Sequence, residues 1–74
     1  MNIVLWTRVG DPYCQEAIFH LQKTRKEFTE KCIGNGYTID QLIAEDTNAS
    51  LEMPALFIDG KYAGGLREVH GLIR

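Results

Sequence analysis

Apolar residues run unbroken through Ile3-Val4-Leu5-Trp6, within the stretch 2–7. They show no alternation with polar ones, as in a strand covered on both faces, and predict a central strand. Arg8-Val9-Gly10 then leads into Asp11-Pro12, where Asp suits an N-cap and Pro the first helical position, so a helix starts there. Beyond it Cys14, Ala17, Ile18, Leu21 and Phe28 share one stripe at helical period, while Glu16, Lys23 and Lys26 fall outside it. The stripe directs Cys14 toward the core. Phe19 falls on the opposite face, where a single exposed aromatic ordinarily carries no function.

The segment 28–33, Phe-Thr-Glu-Lys-Cys-Ile, reads as a second strand ended by Gly34-Asn35-Gly36, and its charges place it at a sheet edge. Thr38 followed by Gln41 fits a capping box, with Tyr37 set to staple onto Leu42. Ile39, Leu42 and Ile43 then form the apolar stripe of a helix of two to three turns. Pro54-Ala55-Leu56-Phe57-Ile58 and Lys61-Tyr62-Ala63 flank Asp59-Gly60, the pair that a type I′ hairpin turn favours. Gly64-Gly65 allow close backbone approach before Leu66, Val69 and Ile73 mark a terminal helix, whose Gly71 costs about 1 kcal/mol relative to alanine. The order is strand, helix, strand, helix, hairpin, helix. A right-handed strand-helix-strand unit plus a hairpin predicts an α/β fold: a four-stranded mixed sheet with helices on both faces, in the order βαβαββα.

Composition narrows the function more than the fold. Seventy-four residues suffice for one small domain, 1–74, which buries only about 60% of its unfolded surface and so has a thin stability margin. A formal charge of −2 gives no electrostatic footprint for nucleic acid. No apolar run approaches the roughly 20 residues that span a bilayer, and no signal-peptide pattern opens the chain, so a cytoplasmic protein without a membrane role is expected. Two cysteines, Cys14 and Cys32, are too few for a disulfide scaffold. With His20 and His70 they show no zinc-ligand spacing, so no metal is expected.

Element order, Asp11-Pro12-Tyr13-Cys14, Met53-Pro54 and Gly64-Gly65 together resemble the glutaredoxin family of the thioredoxin fold, over essentially the whole chain. The resemblance implies that Asp11 stands where the first, nucleophilic cysteine of a Cys-Pro-Tyr-Cys motif would be, and Cys14 where the second would be. It implies a glutathione groove as well. Arg8, three positions before the motif, would meet the glycine carboxylate; Met53, before a cis Pro54, would pair its backbone with the glutathione cysteine; Gly64 and Gly65 would offer amides to the γ-glutamyl carboxylate. Tyr13 and Leu66 complete that lining. Where the family often has an acidic residue for the glutathione ammonium, this chain has Arg67, followed by Glu68.

Thiol–disulfide exchange requires an exposed thiolate, so a cysteine whose pKa falls from about 8.5 toward neutrality. Asp11 cannot attack sulfur. For Cys14 the first turn of a helix lowers the pKa, whereas burial and the Asp11 charge raise it, and two of the three effects oppose reactivity. Asp11 has three readings: a helix cap, a carboxylate imitating a thiolate in the same amide nest, or an engineered replacement of a cysteine. Arg8 is a solvated charge or a ligand contact. Cys32 reads as a core thiol, and a Cys14–Cys32 disulfide depends on a Cα separation that the chain order leaves open. The expected function is glutathione-linked exchange attenuated by Asp11 and routed, if at all, through Cys14. Glutathione serves as co-substrate or a cysteine-containing protein as partner, with no other cofactor, in a monomer. The alternative is a redox-inactive module that binds a protein or thiol ligand.

Overall fold

The computed structural model describes residues 1–47, 49 and 52–74. It carries β1 (Ile3–Arg8), α1 (Pro12–Lys23), β2 (Thr29–Ile33), α2 (Ile39–Glu45), β3 (Ala55–Ile58), β4 (Lys61–Gly64) and α3 (Leu66–Leu72). The strands lie in the order β2-β1-β3-β4, with β1 parallel to β2 and antiparallel to β3, and β4 antiparallel to β3. This is the mixed four-stranded sheet that the unbroken apolar run and the hairpin signal predict.

Because successive strand residues point to opposite faces, the two sides of β1 and β3 build two separate cores. Ile3, Leu5 and Leu56 pack with Ala17 and Leu21 of α1 and with Val69 and Ile73 at α3. Trp6, Ala55 and Phe57 pack on the other side with Leu42 of α2, Met53 and Cys14. Leu21, Leu42 and Leu56 are each wholly buried, and full burial of such a side chain stabilises by about 1.5–3 kcal/mol.

Local chemistry sets the element ends. Thr38 accepts the Gln41 N–H at 3.3 Å while the Gln41 side chain accepts the Thr38 N–H at 2.8 Å, a complete capping box. Asp59 (φ 52°) and Gly60 (φ 84°) take the two left-handed conformations of a type I′ turn. That turn is tied to the chain start: the Asn2 N–H donates to Asp59 Oδ1 and the Asp59 N–H to the Asn2 carbonyl, both at 2.8 Å.

Three expectations are corrected. α1 ends at Lys23, and Arg25 at φ 57° turns the chain, so Phe28 lies outside the helix, although it still packs on the α1-side core. No glycine or proline marks that stop. Ile43 is 39% exposed, because the seven-residue α2 fully buries only Leu42. Cys32 is a half-buried thiol of an edge strand, since β2 is paired to β1 alone within the sheet.

Candidate functional site

β1 ends where α1 begins, and a three-residue loop joins them. Asp11 caps α1: its Oδ1 accepts the Tyr13 N–H at 2.9 Å and its carbonyl accepts the Gln15 N–H at 3.2 Å. Pro12 follows at the first helical position, where its missing N–H leaves nothing unsatisfied. Tyr13 projects outward, 63% exposed, whereas Cys14 one residue on is fully buried. The Arg8 N–H donates to Cys14 Sγ at 3.4 Å. Burial pushes the Cys14 thiol up and outweighs the lowering by that Arg8 amide, while the Asp11 charge adds to the rise. At neutral pH the group is a thiol.

Beside Tyr13 an open groove of about 420 Å³ runs between the segment entering β3 and the start of α3. Met53 and Pro54, joined by a cis peptide, form one wall with Glu52; Gly65, Leu66, Arg67 and Glu68 form the other, and Tyr62 closes the side. The walls approach closely, for a Cβ on Gly65 would stand 3.4 Å from the Pro54 carbonyl oxygen. The Glu68 carboxylate accepts the Gly65 N–H at 2.8 Å. Its side chain lies across Gly64, whose φ of +138° and missing Cβ leave the room that Glu68 takes. A larger hollow of about 560 Å³ lies at the opposite end of β1, between Met1–Ile3 and Lys26–Thr29, and holds no cysteine.

No family model matches the chain. It is 29% identical over 71 residues to a probable glutaredoxin of Synechocystis, an overlap covering 96% of this chain and 81% of that protein. A dithiolic glutaredoxin of Trypanosoma brucei brucei superposes with a TM-score of 0.77 at 29% identity, over 96% of this chain and 75% of the other. The chain is a glutaredoxin-like protein. Its thioredoxin fold is seen again in glutaredoxin 1 of Francisella tularensis, solved with cacodylate, at a TM-score of 0.72 and 22% identity over 95% of this chain and 88% of that one.

In this glutaredoxin-like chain Tyr13, Met53, Pro54, Gly65 and Leu66 line the groove together. Asp11 and Cys14 sit at the start of α1 next to Tyr13, Arg8 ends β1, and Gly64 lies behind the Glu68 side chain. None of these four is in the lining. Sequence reasoning missed Glu52 and Tyr62. Alternation along the hairpin places Tyr62 opposite Phe57, and their rings meet edge to face at 5.7 Å. Glu52 had no signal, since its place depends on how the chain enters β3. Among the described residues, no group of three or more His, Cys, Asp or Glu side chains is arranged to hold a metal ion, and no helix is long and apolar enough to cross a membrane.

Proposed function

We propose that this glutaredoxin-like protein binds glutathione, or a cysteine-containing protein, in the groove formed by Tyr13, Met53, Pro54, Gly65 and Leu66. Glutathione-linked thiol–disulfide exchange there is attenuated by Asp11, which takes the first motif position with a carboxylate that cannot attack sulfur. The groove's place beside the start of α1 is the observation that carries the reading. A thiol ligand lying in it puts its sulfur next to Asp11, where a dithiol relative would hold its nucleophile. The protein acts as a cytoplasmic monomer, with glutathione as co-substrate and no other cofactor.

A second reading, a redox-inactive module that binds a thiol or protein ligand, draws support from the complete burial of Cys14 and its raised pKa. Turnover of a glutathionylated peptide by the native protein and by Asp11→Cys separates the two, with glutathione binding followed by amide chemical shifts. Shifts at Tyr13, Met53 and Leu66 with turnover confined to Asp11→Cys mean a binding module on an intact scaffold. Slow native turnover abolished by Cys14→Ser supports attenuated exchange. Absence of both shifts and turnover in both proteins rejects the groove as a glutathione site.

A further inference from the structure

Among the described residues, three charged side chains line the groove, and they are not equivalent. Glu52 stands on the wall entering β3 and already has a partner. Glu68, on the α3 wall, is half-buried and turned inward: its Oε1 accepts the Gly65 N–H at 2.8 Å, and its side chain lies across Gly64. Arg67 is exposed, and among the described residues no hydrogen bond or ion pair engages its guanidinium. Adjacent residues of a helix do not face each other, so the Glu68 carboxylate, folded back over Gly64, is no ion-pair partner for Arg67.

A ligand carboxylate arriving at the α3 wall therefore finds the Gly65 N–H already bonded to a carboxylate of the chain itself. The Arg67 guanidinium is a donor still available to it, and its planar fork suits a carboxylate in a two-pronged contact. An ammonium in the same place meets a like charge. At the start of α1 the sign is opposite, since Asp11 presents a carboxylate beside Tyr13. The groove thus runs from an acidic end to a basic one.

We propose that Arg67 sets the charge specificity of the groove: it takes a carboxylate of the bound thiol and disfavours an ammonium there. The preferred occupant is then a cysteine-containing protein segment with acidic neighbours, ahead of free glutathione. This inference rests on the reading of the groove as a thiol-ligand site, and it chooses between the two ligands named there. Glutathione carries its γ-glutamyl carboxylate and its ammonium on one carbon, so the Arg67 guanidinium attracts the first and repels the second. A cysteine inside a protein chain has the nitrogens of its neighbours in amide bonds. An acidic side chain beside it brings an anion alone. Such a segment lies with its sulfur toward Asp11 and its carboxylate toward Arg67.

The test is titration of the full chain under reducing conditions, followed by amide chemical shifts, with an end-capped Glu-Cys-Glu peptide, the end-capped Lys-Cys-Lys peptide and glutathione as probes. Native protein is expected to bind the acidic peptide roughly two- to fivefold more tightly than either other probe, the range of an exposed ion pair. Arg67→Glu is expected to reverse the order of the two peptides, and Arg67→Gln to bring them level. Arg67 is exposed, so both variants are expected to unfold at the native temperature. A native protein that binds the basic peptide or glutathione as tightly as the acidic peptide overturns the inference. So does a preference for the acidic peptide that survives both substitutions. In either case shifts at Tyr13, Met53 and Leu66 leave the groove standing as a thiol-ligand site. Absence of shifts at those residues with every probe rejects the groove, and the role of Arg67 with it.

Discussion

The main-chain amide of Arg8 donates to the sulfur of Cys14 at 3.4 Å, so the last residue of β1 holds the first turn of α1 and fixes the buried thiol beneath it. A hydrogen bond to sulfur favours the thiolate, yet here burial outweighs it and the pKa stands above that of a free cysteine. The direction of that shift sets the first prediction.

Below the unfolded cysteine value of about 8.5, Cys14 is protonated in both states and its contribution to stability is complete. As pH rises beyond that value the unfolded chain loses the proton first, and the contribution is lost progressively as pH passes through the raised folded pKa. Urea unfolding from neutral to alkaline pH is expected to show falling stability, with a shallower fall in Cys14→Ala. Identical slopes in the two proteins would show that Cys14 titrates in the folded state as it does in the unfolded one.

Asp11 caps α1 through Oδ1 whether or not it has any role in exchange. Asp11→Ala is expected to cost about 1 kcal/mol in equilibrium unfolding, and Asp11→Asn much less, because an amide oxygen also accepts the Tyr13 N–H. Equal losses in both would point to the charge rather than the cap.

Glu68 satisfies the Gly65 N–H from within the groove wall. Glu68→Ala removes that acceptor and is expected to lower stability by about 0.5–1.5 kcal/mol, with Glu68→Gln retaining most of it. Glutathione titration should then perturb the Gly65 amide in Glu68→Ala more than in native protein. An unchanged Gly65 response would place the ligand elsewhere along the groove.

His20 and His70 tie α1 to α3 in different ways. Their rings meet edge to face with centres 4.6 Å apart. His20 Nε2 bonds the Ile73 carbonyl, so it carries a proton, and that bond is partly buried. His70 Nε2 faces Glu16 Oε2 at 3.3 Å in an exposed pair. Loss of the partly buried bond in His20→Ala is expected to cost about 1 kcal/mol. The exposed pair contributes about 0–1 kcal/mol, so Glu16→Gln should change little. Thermal unfolding of both variants at neutral pH checks the order.

Much of this protein is written in short-range signals. The unbroken run Ile3–Trp6 marked a strand covered on both faces, Asp11-Pro12 marked the start of α1, and Thr38 with Gln41 marked the cap of α2. Asp59-Gly60 set the hairpin. Each depends on backbone donors, fixed dihedrals or side-chain period within a few residues, which neighbouring residue types control directly.

What lay beyond the sequence is what depends on distance across the fold. The end of α1 at Lys23 carries no breaker, and although the charges of β2 marked it as an edge strand, how far Cys32 is covered there was decided by the assembled sheet. Glu52 and Tyr62 enter the groove because the approach to β3 and the start of α3 come together, although those segments lie apart in the chain. Chain order determined the elements and their ends, because those are governed by local hydrogen bonding and side-chain period. Packing of α1 and α3 against one face and α2 against the other decided which thiol is buried, which is reachable, and which residues share a wall.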